Sequence, residues 1–136
     1  MTAATTRTLI ESYYATFNAG NRENFLALLT DDVIHDINQG GSEKGKHAFR
    51  VFLERMDRCY KENIADIVVL VNEDGTRAAA EFTVHGKYLS TDDGLPEATG
   101  QTYVIPAGAF FTLRDGKVAR ISNYYNLPEW ERQVTA

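Results

Sequence analysis

Two side chains that exchange protons stand next to each other in the segment 31–41. His35 and Asp36 follow an aliphatic pair and precede two glycines, on a short stretch of β-type sequence. Burial and neighbouring charges can move the pKa values of an imidazole and a carboxyl group toward working pH. The pair therefore predicts acid–base chemistry at the end of an otherwise apolar strand.

Strand alternation assigns the two side chains to opposite faces. Val33, His35 and Ile37 share one face, and Asp36 lies on the other. His35 is either a core histidine bonded to a backbone carbonyl or an acid–base or ligand-orienting group in a pocket. Asp36 is either a carboxylate at a strand end or a second pocket group, the latter if a β-bulge before the glycines turns it inward. Both alternatives stay open at this point.

The composition excludes several classes of protein. The 136 residues carry 14 basic and 19 acidic side chains, a net charge of −5, which gives no electrostatic case for binding nucleic acid or an anionic membrane. No apolar run approaches the roughly 18 residues of a membrane span. Cys59 is the only cysteine, and His35, His47 and His85 fall on different predicted elements, so we expect no metal site. We expect one domain over 1–136 in a cytoplasmic protein.

The order of elements predicts an α+β fold. Apolar spacing indicates helices over 5–19, 23–29 and 46–61, a strand over 33–38, long strands over 64–72, 78–88, 101–113 and 118–126, and a short helix after Pro128. These elements predict a curved, cone-like antiparallel or mixed sheet with the three N-terminal helices packed on its concave face. The open end of such a cone is a natural small-molecule pocket.

Four segments carry a resemblance that covers nearly the whole chain. They are Tyr13-Tyr14 ahead of Ala19-Gly20-Asn21, the run from Phe25 to Val33, Gly45-Lys46, and the run from Gly116 to Tyr125. In their order and spacing the chain resembles the nuclear transport factor 2-like superfamily, and within it the ketosteroid isomerase and SnoaL-like polyketide cyclase branch. That fold hosts isomerases, cyclases, epoxide hydrolases, dehydratases and non-catalytic binders.

The resemblance assigns a role to Tyr13 but leaves the other isomerase positions unfilled. Ketosteroid isomerases use an aspartate base and an oxyanion pair of a tyrosine and a protonated aspartic acid. Tyr13 matches the oxyanion tyrosine. The base position falls at Ile37, one residue after Asp36, and the second acid falls near Ala109. Steroid isomerisation by that mechanism is therefore not expected.

Strand parity and the resemblance together predict the pocket lining. The resemblance turns the face with Asn123 toward the pocket, and a buried carboxamide there must find a ligand, a water or Tyr13 as its partner. Tyr13 could instead be a core residue with its hydroxyl at the surface. The predicted lining is Tyr13, Phe17, His35, Phe82, Val84, Phe111, Ile121, Asn123 and Tyr125.

The sequence is compatible with two functions. The first is a cofactor-independent isomerase, cyclase or hydratase that acts on a small apolar carbonyl compound. In it, His35 with help from Asp36 would move a proton, and Tyr13 with Asn123 would hold the oxyanion. The alternative is a non-catalytic ligand-binding or interaction domain of the same fold.

The convex face of the sheet is expected to form a dimer interface. Val104, Phe110 and Tyr124 would otherwise leave an exposed apolar patch on that face. The resemblance implies pairing of two copies there, since relatives of this fold pair as dimers.

Overall fold

The computed structural model describes residues 1–135, which form four helices and six strands. The helices are α1 (Ala3–Ala19), α2 (Arg22–Ala27), α3 (Lys46–Cys59) and α4 (Leu127–Thr135). The strands are β1 (Leu29–Asp36), β2 (Ser42–Lys44), β3 (Tyr60–Val71), β4 (Arg77–Tyr88), β5 (Thr102–Arg114) and β6 (Lys117–Tyr125). None of these helices combines the length and the apolar character that a membrane crossing needs.

The six strands form one mixed sheet in the order β2-β1-β6-β5-β4-β3. β1 runs parallel to β6, and every other neighbouring pair is antiparallel. The β5–β6 turn contains Asp115 and Gly116, both with positive φ, the conformation that tight hairpin turns require. The predicted α+β fold with a mixed sheet is confirmed. β2 was not predicted, because its three exposed residues carry no apolar alternation.

Helix α1 crosses the sheet and buries aromatic side chains against it. Ile10, Tyr13 and Tyr14 are buried on its inner side. The helix begins at a capping box and is fastened to the β3–β4 turn, where the Thr6 hydroxyl donates a 2.6 Å hydrogen bond to the Gly75 carbonyl oxygen. Because this helix is held near its N-terminus at Thr6, the tyrosines about two turns later have a fixed position over the sheet.

Helices α2 and α3 complete the apolar layer. Phe25 of α2 and Phe49 of α3 are 1% and 3% exposed, and their ring centroids are 5.8 Å apart. α3 contacts β1, the strand that carries His35. Burial of large aromatic side chains is a main stabilising contribution in a domain of this size. The same rings shape the wall of the cavity described below.

The outer face of the sheet exposes large apolar side chains. Val104, Phe110 and Tyr124, predicted to lie there, are 51%, 55% and 54% exposed. Phe110 and Tyr124 contact each other edge to face, with ring centroids 5.6 Å apart. Val68 and Leu70 of β3, which is separated from β5 by β4, are also exposed large apolar side chains.

We predict that two copies of the chain pair through this patch, because pairing would remove its apolar area from water. Light scattering at micromolar concentration should give the mass of a dimer. Phe110→Lys should give a monomer, since a self-complementary interface brings the new charge close to its symmetry mate. Val51→Lys, at an exposed position of α3, is the matched control and should remain dimeric. A monomeric wild-type protein would contradict the prediction.

Candidate functional site

A cavity of about 490 Å³ lies between the sheet and the helices. Its wall is mostly aromatic and aliphatic, with a few polar side chains, as small-molecule sites usually are. Seven of the predicted lining residues line it: Tyr13, Phe17, His35, Phe82, Val84, Asn123 and Tyr125.

Two residues predicted to line the cavity lie beneath its wall instead. Phe111 and Ile121 are each 1% exposed and are absent from the lining. The rings of Tyr13 and Tyr14 pack edge-on against Phe111, at centroid distances of 5.3 and 6.2 Å. Strand parity placed Phe111 and Ile121 on the inner face of the sheet, as observed. The prediction that they line the cavity is wrong, because the tyrosines of α1 cover that part of the sheet.

His35 is fixed in the cavity wall by aromatic rings. Its side chain is on the inner face of β1, and the residue is 2% exposed. The imidazole stacks on Phe49 at 4.4 Å between ring centroids and meets the edge of Phe52 at 4.6 Å. Burial lowers the pKa of His35 to about 4, and the negative charge of Asp36 opposes that shift. The imidazole is therefore neutral at neutral pH.

Asn123 is the hydrogen-bond partner of this imidazole. The distance between its Nδ2 atom and His35 Nε2 is 3.3 Å. The contact is made across the parallel pairing of β1 and β6, in which His35 lies opposite Ile121. His35 Nδ1 is buried and has no hydrogen-bond partner within residues 1–135. The imidazole therefore keeps one hydrogen-bonding position unused, and a buried group of that kind is normally satisfied by a ligand or water.

The two tyrosines of α1 differ in their surroundings. Burial raises the pKa of both Tyr13 and Tyr14, so both hydroxyl groups stay protonated and can donate hydrogen bonds. Within the described chain, Tyr13 makes no hydrogen bond to Asn123 or His35, and the buried Tyr14 hydroxyl has no partner. Sequence reasoning missed Tyr14, because helical spacing alone made it a core residue.

Asp36 lies outside the cavity. Its carboxylate accepts hydrogen bonds from Ser122, Arg120 and Ser42 at 2.6, 2.7 and 2.9 Å. These partners, the Ser122 hydroxyl first, lower its pKa. The pairing of β1 with both neighbours is regular from Ile34 to Asp36, so no bulge turns the carboxylate inward. The prediction that Asp36 assists His35 inside the pocket is therefore corrected.

Comparison with known proteins assigns the family. Residues 10–121 match the family profile described as a SnoaL-like domain. The chain belongs to this family. A crystal structure from Pseudomonas putida KT2440, provisionally described as a polyketide cyclase, is 61% identical, with 99% of each chain covered and a TM-score of 0.94. One from Xanthomonas campestris pv. campestris with the same provisional description is 52% identical, with 98% of each chain covered and a TM-score of 0.95.

A more distant structure shows the fold alone. An NTF2-like protein from Burkholderia xenovorans LB400 is 17% identical, with 99% of each chain covered and a TM-score of 0.79. This SnoaL-like protein therefore has the NTF2-like fold that its sequence resembles. A search of curated proteins found no match.

A second set of polar side chains lines the cavity of the SnoaL-like protein near α4. Glu62 of β3 accepts a 2.5 Å hydrogen bond from the Tyr103 hydroxyl, and Asp92 accepts one of 2.8 Å from the Tyr60 hydroxyl. Burial raises the pKa of Glu62, and the Tyr103 hydrogen bond opposes that shift. The sequence-based boundaries left Glu62 between a predicted helix and a predicted strand. That placement concealed its position on an inner strand face.

Within residues 1–135, no three side chains of histidine, cysteine, aspartate or glutamate are grouped closely enough to hold a metal ion. The polar groups of the cavity are an imidazole, three carboxamides, tyrosine hydroxyls, carboxylates and the guanidinium groups of two arginines. These groups can position a ligand and transfer a proton.

Proposed function

We propose that this SnoaL-like protein is a cofactor-independent enzyme that moves a proton on a small apolar carbonyl compound, in an isomerase- or cyclase-type reaction. The observation that carries the proposal is a buried, neutral His35 that contacts Asn123 in the wall of an aromatic cavity. The two similar proteins provisionally described as polyketide cyclases support the same class of reaction.

The neutral imidazole is suited to accept a proton from the carbon next to a carbonyl group. Its low pKa keeps the free base available over a wide pH range, although it makes that base weak. Removal of the proton leaves negative charge on the substrate. This charge attracts the imidazolium that forms, and the apolar wall strengthens the attraction. In the structure the Asn123 Nδ2 group donates to His35 Nε2, so the neutral ring carries its proton on Nδ1. In the proposed step this N–H group moves from Nε2 to the carbonyl oxygen of the substrate, which frees the Nε2 lone pair to accept the proton.

The negative charge develops on the carbonyl oxygen, which needs hydrogen-bond donors. Tyr13 supplies a protonated hydroxyl in the cavity wall, and the Asn123 carboxamide supplies an N–H group. Fixed donors directed at a developing oxyanion usually contribute more to catalysis than any other single factor. The same donors should therefore recognise a stable anion such as a phenolate.

Substituted phenols test this oxyanion site. We expect phenols to bind more tightly as their own pKa falls, because the anionic form resembles the charge that the site stabilises. Tyr13→Phe should weaken binding by about 1–3 kcal/mol while the ring keeps its packing. Titration calorimetry with each phenol measures the effect, and Ser12→Ala, which removes an exposed hydroxyl of α1 outside the cavity lining, is the control. Equal affinities across the series, unchanged by Tyr13→Phe, would favour a non-catalytic binding domain.

A further inference from the structure

Glu62 differs from the other acidic side chains that line the cavity. Both oxygens of Asp57 accept hydrogen bonds from Arg22, at 2.6 and 2.8 Å. Asp92 is bound by the Tyr60 hydroxyl and by the guanidinium of Arg55. Asp93 is exposed to solvent. Within residues 1–135, Glu62 has a hydrogen-bond partner at Oε2 and none at Oε1, so one oxygen is available to a ligand in the cavity.

The position of Glu62 is fixed by a row of three residues across three strands. Glu62 lies opposite Gly86, and Gly86 lies opposite Tyr103. A Cβ atom at Gly86 would be 2.1 Å from the Tyr103 Cζ atom. The ring of Tyr103 therefore lies directly over the glycine, and its hydroxyl reaches Glu62. A glycine inside a strand is used where another group must approach closely, and here that group is the tyrosine that orients the carboxyl.

We propose that Glu62 binds a hydroxyl group of the ligand, at the end away from the carbonyl group that His35 and Asn123 hold. This inference rests on the proposed function for the carbonyl end. The ligand would be an elongated apolar compound with a carbonyl group near one end and a hydroxyl group near the other. Glu62 and His35 line the same cavity from strands that three others separate in the sheet, and we therefore expect an elongated ligand to contact both.

A hydroxyl group is the ligand function that best fits this carboxyl. An ionised Glu62 accepts a hydrogen bond, and a protonated one donates it; a hydroxyl group can take either part. Burial raises the pKa of Glu62, which brings the protonated form closer to neutral pH. A second carbonyl group would fit only the protonated form. An ammonium group would fit only the ionised form, which burial disfavours.

A matched pair of ketones tests the proposal. One is an acetylnaphthalene with a hydroxymethyl group on the far ring, and the other carries an ethyl group there. The two differ only by a hydroxyl in place of a methyl group. Calorimetry should show that the wild-type protein binds the hydroxymethyl compound roughly tenfold more tightly. Quenching of Trp130, the chain's single tryptophan, should confirm that both probes occupy the cavity that it lines.

Three variants test whether Glu62 causes the preference for the hydroxymethyl compound. Glu62→Leu should bind both ketones equally. Tyr103→Phe, which keeps the carboxyl but removes the bond that orients it, should retain only part of the preference and serves as a second test if Glu62→Leu folds poorly. Glu11→Leu, at an exposed position of α1, should keep the full preference.

The outcomes separate this proposal from the proposed function. Asn123→Ala should weaken binding of both ketones equally, because it acts at the carbonyl end. If the wild-type protein bound both ketones equally while Asn123→Ala weakened the binding of both, the role of Glu62 would be overturned and the proposed carbonyl site at Asn123 would be supported. If the preference depended on Glu62 and Asn123→Ala changed neither affinity, the role of Glu62 would be supported and the proposed carbonyl site at Asn123 would be contradicted. A wild-type protein that bound neither ketone would overturn both.

Discussion

The free energy of unfolding of the wild-type protein is expected to fall by about 3 kcal/mol because of His35 as the pH is lowered from 6.5 to 4, and His35→Phe should not show this fall. The folded protein lowers the pKa of this imidazole from 6.5 to about 4 by burying it. Above pH 6.5 the side chain is neutral in both the folded and the unfolded states. Between the two pKa values only the unfolded state binds the proton, so stability falls with pH. Below pH 4 both states are protonated and this loss is complete.

Denaturant unfolding at several pH values measures this loss. Several carboxylates also have lowered pKa values, among them Asp36 and Glu129. Their protonation destabilises the fold at lower pH in the wild type and the variant alike. The difference between the two proteins therefore isolates His35. Phenylalanine keeps the ring packed on Phe49 and removes the unpartnered Nδ1 atom. The control is His47→Phe, an exposed position of α3. Equal pH dependence in the wild type and His35→Phe would show that the folded protein does not bury a neutral imidazole.

The sequence predicted elements best where the apolar pattern was long and regular. The third long strand was expected over 101–113 and is observed as Thr102–Arg114. Parity on the first strand put His35 inward and Asp36 outward, as observed. Local alternation suffices for such predictions, because side chains on a strand point to opposite faces in turn.

The contacts of the site depend on information that local patterns do not contain. The contact between His35 and Asn123 depends on the parallel register of β1 against β6, two strands that lie far apart in the sequence. The predicted boundaries left Glu62 in the gap between a helix ending at residue 61 and a strand beginning at residue 64, whereas strand β3 begins at Tyr60. Its partner Tyr103 is reached only because Gly86 leaves space between them. These relations are tertiary, so periodicity could not predict them.

Loss of the imidazole is also expected to lower the rate of proton transfer strongly. In deuterium oxide, the protein should accelerate deuterium uptake at the carbon next to the carbonyl group of an acetylnaphthalene. His35→Phe should lower that rate by about 100-fold or more, the usual contribution of a positioned acid–base group. His47→Phe should leave the rate unchanged, because His47 is exposed and does not line the cavity.

This exchange rate tests the central claim most directly, because it reports proton transfer itself and requires no knowledge of the natural substrate. Proton nuclear magnetic resonance follows the loss of the signal from hydrogen next to the carbonyl group. The proposed function predicts a rate well above that of buffer, abolished by His35→Phe and retained by His47→Phe. A rate equal to that of buffer, or one that His35→Phe leaves unchanged, would contradict it.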